Sequence, residues 1–437
     1  MTATREFPVR SLTRVEGGGR LRIRACDGRL DVVAFDIYEP PRFFERLLRG
    51  RSIHEVPDIV ARICGICPVS YQITACVALE SALGVAVPPG VVPLRRLLAC
   101  GEWIQSHAIH VHVLHAPDFL GCDSCFAFPP PFAGFLDRGL RMKAAGSRIV
   151  ELVGGRAVHP VNLAVGGFHR APAAAAIRQF VPELEWGLDA ALAAIETVSH
   201  FPFARFEQPY EYVSLVARDE YPMNDGRIVS RRGDGAAGLD IPIAEHGRHF
   251  VERDVPHGTA RTSFILPGDR TYLCGPLARL GNCLDRLPPA TRRAAESCGI
   301  VWPSPNVFHS IVARSIEIAA AFEEALAIAR DCRADVAPCR AMVPIRAGAG
   351  CHATEAPRGL LFQDFTVDAD GLVAGATIIP PTGRNQARIE ADLRAFLPPL
   401  LALPDAAAAL ECERLIRAYD PCISCAAHFL DLRIDRA

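Results

Sequence analysis

Apolar residues recur at three- and four-residue intervals through residues 92–115, 139–153, 173–199 and 309–332, the period of helices with a buried face. Shorter helices are expected after Cys67, across 385–396 and across 405–418. Two segments break this pattern. Residues 20–37 and 361–379 alternate apolar and polar positions around Asp27-Gly28 and Asp370-Gly371, pairs suited to tight hairpin turns. The prolines fall mostly between the helical segments, as in Val87-Pro-Pro-Gly and Phe128-Pro-Pro-Pro-Phe, so they mark connections. Residues 201–270 are rich in charge, glycine and aromatics and read as irregular or β-containing, with a peripheral insertion as one option. The pattern predicts an α+β, predominantly helical fold, with a core of long helices and small β elements near both termini.

Composition narrows the class. Half of the 437 residues are hydrophobic and 22% are charged, as in a globular protein with a substantial core. Net charge is −2 with the two signs mixed, so no basic stripe points to nucleic acid. The N-terminal residues lack the apolar core of a signal peptide, and apolar runs such as 397–404 are cut by proline. A cytoplasmic protein without a membrane span is the expectation. Sixteen cysteines are many for a reducing compartment, which assigns some of them a metal or redox role and leaves the rest as small buried apolar residues.

Three Cys-x-x-Cys pairs occur: Cys64/Cys67, Cys122/Cys125 and Cys422/Cys425. Thiolates three residues apart can reach one metal from a single turn, and the same spacing serves dithiol redox centres. Flanking residues discriminate. The first pair lies in Arg62-Ile-Cys-Gly-Ile-Cys-Pro-Val-Ser-Tyr71, where Gly65 would permit close backbone approach and a helix after Cys67 would favour the thiolate. No short βαβ unit precedes it, which disfavours a thioredoxin-like reading. The last pair lies in Asp420-Pro-Cys-Ile-Ser-Cys-Ala-Ala-His428.

Arg-x-Cys-Gly-x-Cys near one end and Asp-Pro-Cys-x-x-Cys-x-x-His near the other resemble the signature pair of nickel–iron hydrogenase large subunits. Thr13-Arg-Val-Glu-Gly, the 41–51 segment beginning Pro-Arg-Phe-Phe-Glu, Gly155-Arg-Ala-Val-His-Pro, Cys274-Gly-Pro-Leu-Ala-Arg, Glu355-Ala-Pro-Arg-Gly and Pro380-Pro-Thr extend the resemblance over nearly the whole chain. Their wording is closest to the cytoplasmic NAD(P)-linked, sulfhydrogenase-type subunits.

The resemblance implies a binuclear nickel–iron centre, with Cys64 and Cys422 as terminal nickel ligands and Cys67 and Cys425 bridging to an iron that carries cyanide and carbon monoxide. It implies Arg358 poised over the open metal position, held by Asp118 and Asp420. Thr382 would donate a hydrogen bond to an iron-bound cyanide, and Glu16 would pass protons outward. The base that takes the proton from hydrogen is either Cys422 or Arg358. Glu45 and His428, with a backbone carbonyl near Ile378, would hold a second cation, magnesium or iron. Implied partners are an iron–sulfur small subunit, flavin and NAD(P)-binding electron-transfer subunits, metal-insertion proteins and a maturation protease. The chain itself carries no Gly-rich dinucleotide fingerprint. Residues 1–428 are expected to form one domain, with 429–437 an extension removed on maturation.

Other features read as structural. Cys122/Cys125 matches no cysteine motif of the family and is expected to be a pair of small residues beside a helix end, a zinc site being the alternative. Of His107, His110, His112 and His115, a helix would place 107, 110 and 115 on one side and 112 elsewhere; His115 would lie close to the site. Tyr71 and Gly18 stand where many family members have histidine. Two other functions compete: a respiratory-complex quinone-module relative that has lost the metal, which loss of the cysteine quartet would mark, and a zinc-binding scaffold. Intact-mass measurement of active protein is expected to show a chain ending at His428; a mass running through Ala437 overturns the cleavage.

Overall fold

A computed structural model describes residues 4–6, 9, 11–26, 29–332 and 335–427. The Asp27-Gly28 turn, His428 and the 429–437 extension lie outside the described residues. The helix-dominated α+β architecture is observed. Its centre is the Val91–Ile109 helix, packed between the Ala133–Gly154 and Ser310–Asp331 helices, the latter covered in turn by Val181–Ser199. Val91–Ile109 and Ala133–Gly154 cross closely because glycines meet at the contact: a Cβ on Gly146 would lie 2.6 Å from the Gly101 carbonyl oxygen.

Two of the expected long helices are interrupted. The 92–115 segment is α-helical to Ile109 and then widens over His110–His115 into a π-helical turn before Pro117. In such a turn residues five apart overlie, so the His110 and His115 rings stand 5.0 Å apart. The 173–199 segment is two helices, Ala174–Arg178 and Val181–Ser199, the second opened by Pro182 at a position where a missing N–H costs nothing.

Strands lie at both ends as expected. Gly19–Cys26 and Arg29–Ile37 pair antiparallel, and Gly348–Ala356, Gly359–Val367 and Val373–Ile379 form a three-stranded antiparallel sheet. The Pro68–Leu83 helix packs on this C-terminal sheet, bringing the segment after the first cysteine pair against it. Residues 211–274 add β structure of their own, including a parallel pairing of Glu211–Val216 with Leu273–Cys274. This region is not a peripheral insertion. Val213, Leu215 and Tyr272 share one apolar cluster with Ala353, Leu360 and Ile379.

A wholly buried ion network braces the middle. Arg279 donates two 2.6 Å bonds to Glu317 and one of 2.8 Å to Glu355, and it also bonds the carbonyls of Ala356 and Pro357. Its guanidinium lies 4.4 Å from the Trp103 ring centroid, while the Tyr221 hydroxyl donates to Glu317 and His107 Nε2 lies 3.0 Å from it. Burial pushes Glu317 up, but the Arg279 charge and its hydrogen bonds outweigh it and hold the carboxyl at about 2. Arg279 ends Cys274-Gly-Pro-Leu-Ala-Arg and Glu355 begins Glu355-Ala-Pro-Arg, so this ion pair joins two distant motifs next to Arg358. Removing one member of such a network strands buried charge. Arg279→Met is expected to destabilise the chain by about 3–5 kcal/mol, read from the urea midpoint.

Candidate metal centre

The two terminal cysteine pairs converge. The sulfurs of Cys64, Cys67, Cys422 and Cys425 all lie within 4.8 Å of one another, every one buried. Sγ–Sγ distances are 3.4 Å for Cys64–Cys422, 3.7 Å for Cys67–Cys425 and 2.7 Å for Cys422–Cys425. Among the described residues this is the one group of three or more cysteine, histidine, aspartate or glutamate side chains so gathered. Four soft donors with this mutual spacing fit a thiolate-bridged transition-metal centre.

Local structure presents each pair. The Arg62–Cys67 loop folds so that the N–H groups of Ile66 and Cys67 both point at Cys64 Sγ, 3.3 Å away. Against burial, which pushes a thiol up, hydrogen bonds from the other three cysteines and the charge of Arg358 hold Cys64 well below its ordinary range. Gly65 is not needed for close approach, since the nearest atom to a Cβ there is His159 Nε2 at 4.0 Å. The helix does start after Cys67, but its free N–H groups do not serve the thiolate. Val69 and Ser70 donate theirs to Glu102, 2.6 and 3.0 Å away, and the Ser70 hydroxyl joins them. Burial raises Glu102 to about 8 against those hydrogen bonds.

The second pair follows a sharp reversal. Asp420 ends the Asp405–Tyr419 helix in the left-handed region, φ 54°, before Pro421 and Cys422. Glu16 pairs with this loop in the manner of a strand, its carbonyl accepting from Ile423 N–H at 3.0 Å. Its carboxylate accepts from Cys422 Sγ at 3.2 Å, Ser424 N–H at 3.1 Å and Ser424 Oγ at 2.5 Å. Gly17, at φ 87°, lets the backbone pass, because a Cβ there would come within 2.9 Å of Ser424 N. Thr382 lies on the first turn of the Pro381–Leu400 helix, which begins earlier than the apolar period indicated. Its Oγ1 accepts from Cys422 N–H at 2.9 Å and keeps its own hydroxyl proton to donate.

Arg358 is buried beside the sulfurs. It meets Asp420 at 3.2 Å through both the carboxylate and the carbonyl, and Ser106 Oγ at 3.3 Å. Burial works against its charge, but Asp420 and the cysteines keep it firmly protonated. A second buried arginine, Arg314, approaches Asp420 Oδ2 at 3.8 Å and donates to the carbonyls of Ala418 and Tyr419. The signal for it in the sequence was the pair of charges, Arg314 and Glu317, in the apolar run of the Ser310–Asp331 helix.

Asp118 departs from expectation. It does not hold Arg358; it binds Arg417 at 2.7 and 2.9 Å and Arg14 at 2.5 Å. The physical reason is position: the π-helical turn and Pro117 carry Asp118 to the side of the Asp405–Tyr419 helix that bears Arg417, where Arg14 joins it. His110 and His115 lie on this side too, and His110 Nε2 meets the Arg417 carbonyl at 2.8 Å. His112 points away and packs on Phe135 in a tilted arrangement, ring centroids 4.2 Å apart. Cys122 Sγ donates to the carbonyls of Leu120 and Ala127, as a small residue at a helix end does.

Glu45 accepts the Ile378 N–H at 2.6 Å, and burial raises it to about 7 despite that bond. Glu252, which the sequence did not single out, is half-buried nearby and raised to about 7 by burial and then by the Glu45 charge. His428, the remaining expected ligand, lies outside the described residues.

For Asp118, burial raises the carboxyl, but Arg417 overcomes this and holds it below its ordinary value of 3.8. The ion pair's contribution to stability is therefore full above that value and is lost as pH falls through the depressed one. Asp118→Asn is expected to lower stability at neutral pH by about 3 kcal/mol and to flatten the acid limb of a pH–stability profile. Parental stability in that variant overturns the pairing with Arg417.

Comparison with known proteins places this geometry in a family. The sequence model of the nickel-dependent hydrogenases matches residues 42–131. The chain is 30% identical to the alpha subunit of sulfhydrogenase 2 from Pyrococcus furiosus, over 96% of this chain and 98% of that one. It is 28% identical to the matching subunit of the vhc F420-non-reducing hydrogenase from Methanococcus voltae, over 97% and 95%. A solved NAD+-reducing NiFe-hydrogenase in the H2-reduced state superposes with a TM-score of 0.83 at 28% identity, covering 98% of this chain and 100% of that one. The NiFeSe hydrogenase of Desulfovibrio vulgaris Hildenborough shares the fold, with a TM-score of 0.79 at 20% identity. The chain belongs to the nickel-dependent hydrogenase family, as its large, catalytic subunit.

Proposed function

We propose that this protein cleaves hydrogen heterolytically and reversibly at a nickel–iron centre that Cys64, Cys67, Cys422 and Cys425 would hold. The observation that carries this reading is the convergence of four buried sulfurs from opposite ends of the chain. The centre, when bound, supplies the Lewis acidity and electron-accepting capacity that the reaction needs.

The chain's residues then divide the proton work. Arg358 already carries its proton and is anchored on Asp420, so it acts as a donor and counter-charge over the site. Cys422 is the base, with Glu16 Oε2 placed 3.2 Å away to take the proton outward and Ser424 beyond it. Thr382 has a free hydroxyl proton for an iron-bound cyanide, a ligand that, like carbon monoxide, maturation enzymes must provide. Glu45, a carbonyl at Ile378 and His428 would hold a second cation, magnesium or iron, with Glu252 adding negative charge beside it.

Electrons would pass to an iron–sulfur small subunit, then through flavin- and NAD(P)-binding subunits in the cytoplasm. Supporting this are the NAD+-reducing and sulfhydrogenase relatives, and a chain in which no described helix is long and apolar enough to cross a membrane. A respiratory-complex relative without metal is disfavoured because the full sulfur quartet is kept.

Metal analysis with infrared spectroscopy of protein matured in its native host tests the proposal. Nickel and iron together with bands of iron-bound cyanide and carbon monoxide are expected. Zinc alone would make the cysteines a scaffold, and absence of both bands and transition metal would favour the metal-free relative.

A further inference from the structure

The cysteine loops are far apart in the chain, and no covalent link holds them together. Spacing within each loop is set by local backbone: Cys422 and Cys425 share one turn, and the N–H groups of Ile66 and Cys67 close on Cys64. Spacing between the loops needs another agent. Contact among sulfurs is a poor candidate, because thiols are weak donors and thiolates repel one another.

Arg42 bridges the gap. Its Nη2 donates to the carbonyl of Ile63, the residue before Cys64, at 2.6 Å, and to the carbonyl of Ser424, the residue before Cys425. Its backbone N–H donates to the Ala427 carbonyl at 2.9 Å, fixing the far end of the second loop. The guanidinium lies 5.3 Å from the Phe44 ring centroid, which limits where the fork can swing. A planar guanidinium that bonds two carbonyls at once sets the distance between them more tightly than a flexible ammonium could.

We propose that Arg42 is a positioning residue that holds the Cys64–Cys67 loop and the Cys422–Cys425 loop at metal-bridging distance before any metal is bound. This rests on the reading of the four cysteines as ligands of one centre. Arg42 controls the between-loop distances, 3.4 Å for Cys64–Cys422 and 3.7 Å for Cys67–Cys425. The within-loop distance of 2.7 Å for Cys422–Cys425 is independent of it and serves as an internal reference.

The test uses full-length, metal-free protein oxidised mildly with diamide, with disulfides mapped by peptide mass spectrometry. The parent is expected to form both between-loop disulfides and the Cys422–Cys425 disulfide. Arg42→Gln is expected to lose the between-loop products several-fold while keeping the within-loop one, and Arg42→Lys to recover part of the loss. The same Arg42→Gln chain, matured in its native host, is expected to contain several-fold less nickel than the parent at an unchanged thermal midpoint. A parental disulfide ratio in Arg42→Gln overturns the proposal. So does loss of all disulfide specificity together with a collapsed thermal midpoint in both variants, which would make Arg42 a general folding residue. A parent that matures without nickel overturns the hydrogenase reading instead and leaves the disulfide ratio as a separate measure of Arg42.

Discussion

Four sulfurs confined within 4.8 Å of one another inside the protein would, as metal-bound thiolates, concentrate more negative charge than a buried site can hold unaided, and the surrounding architecture supplies the counter-charge. Arg358 is the nearest cation, but a buried arginine is itself costly. It is kept in place by Asp420, which also draws in Arg314, so cation and carboxylate alternate outward from the sulfurs. The Arg279–Glu317–Glu355 network repeats the alternation one layer further out. Each layer leaves little net charge unpaired, which makes the low-dielectric setting tolerable.

Helix ends take part in the same arrangement. The N-terminus of Pro68–Leu83 would ordinarily stabilise a thiolate at Cys67, yet its N–H groups are given to Glu102. Cys67 thereby gains no N–H from that first turn, which is held instead by a carboxylate from a neighbouring helix. On the opposite side, Asp118 ties Arg417 and Arg14 together, securing the helix that leads into Cys422.

The flanks of the cysteine pairs made the converging sulfur quartet legible in the sequence, because Arg62 to Gly65 and Asp420 to His428 distinguish them from Cys122/Cys125. Helix period located the core helices but not their interruptions. The π-helical turn at His110–His115 buries three histidines and Val111, and nothing in the apolar period marks it, so only the folded structure reveals it. Asp118 was assigned the wrong partner for a related reason: which arginine reaches it depends on how that turn aims Pro117 and Asp118. Glu102 stands as a single charge in an apolar stretch, whereas Arg42, Arg314 and Glu252 have other charges within three residues. Their partners lie on other elements, and no local spacing encodes them.

The parallel pairing of Glu16 with Cys422 has a consequence in time. Cys64 and Cys422 are 358 positions apart, so the contact that completes the site has nearly the greatest sequence separation the chain can offer. Closing so long a loop is slow compared with forming the helices between. As the chain leaves the ribosome, the central bundle can fold while the first cysteine pair still lacks its counterpart. The meeting of the two cysteine loops is therefore among the last contacts the chain is expected to form, after the helices that frame it.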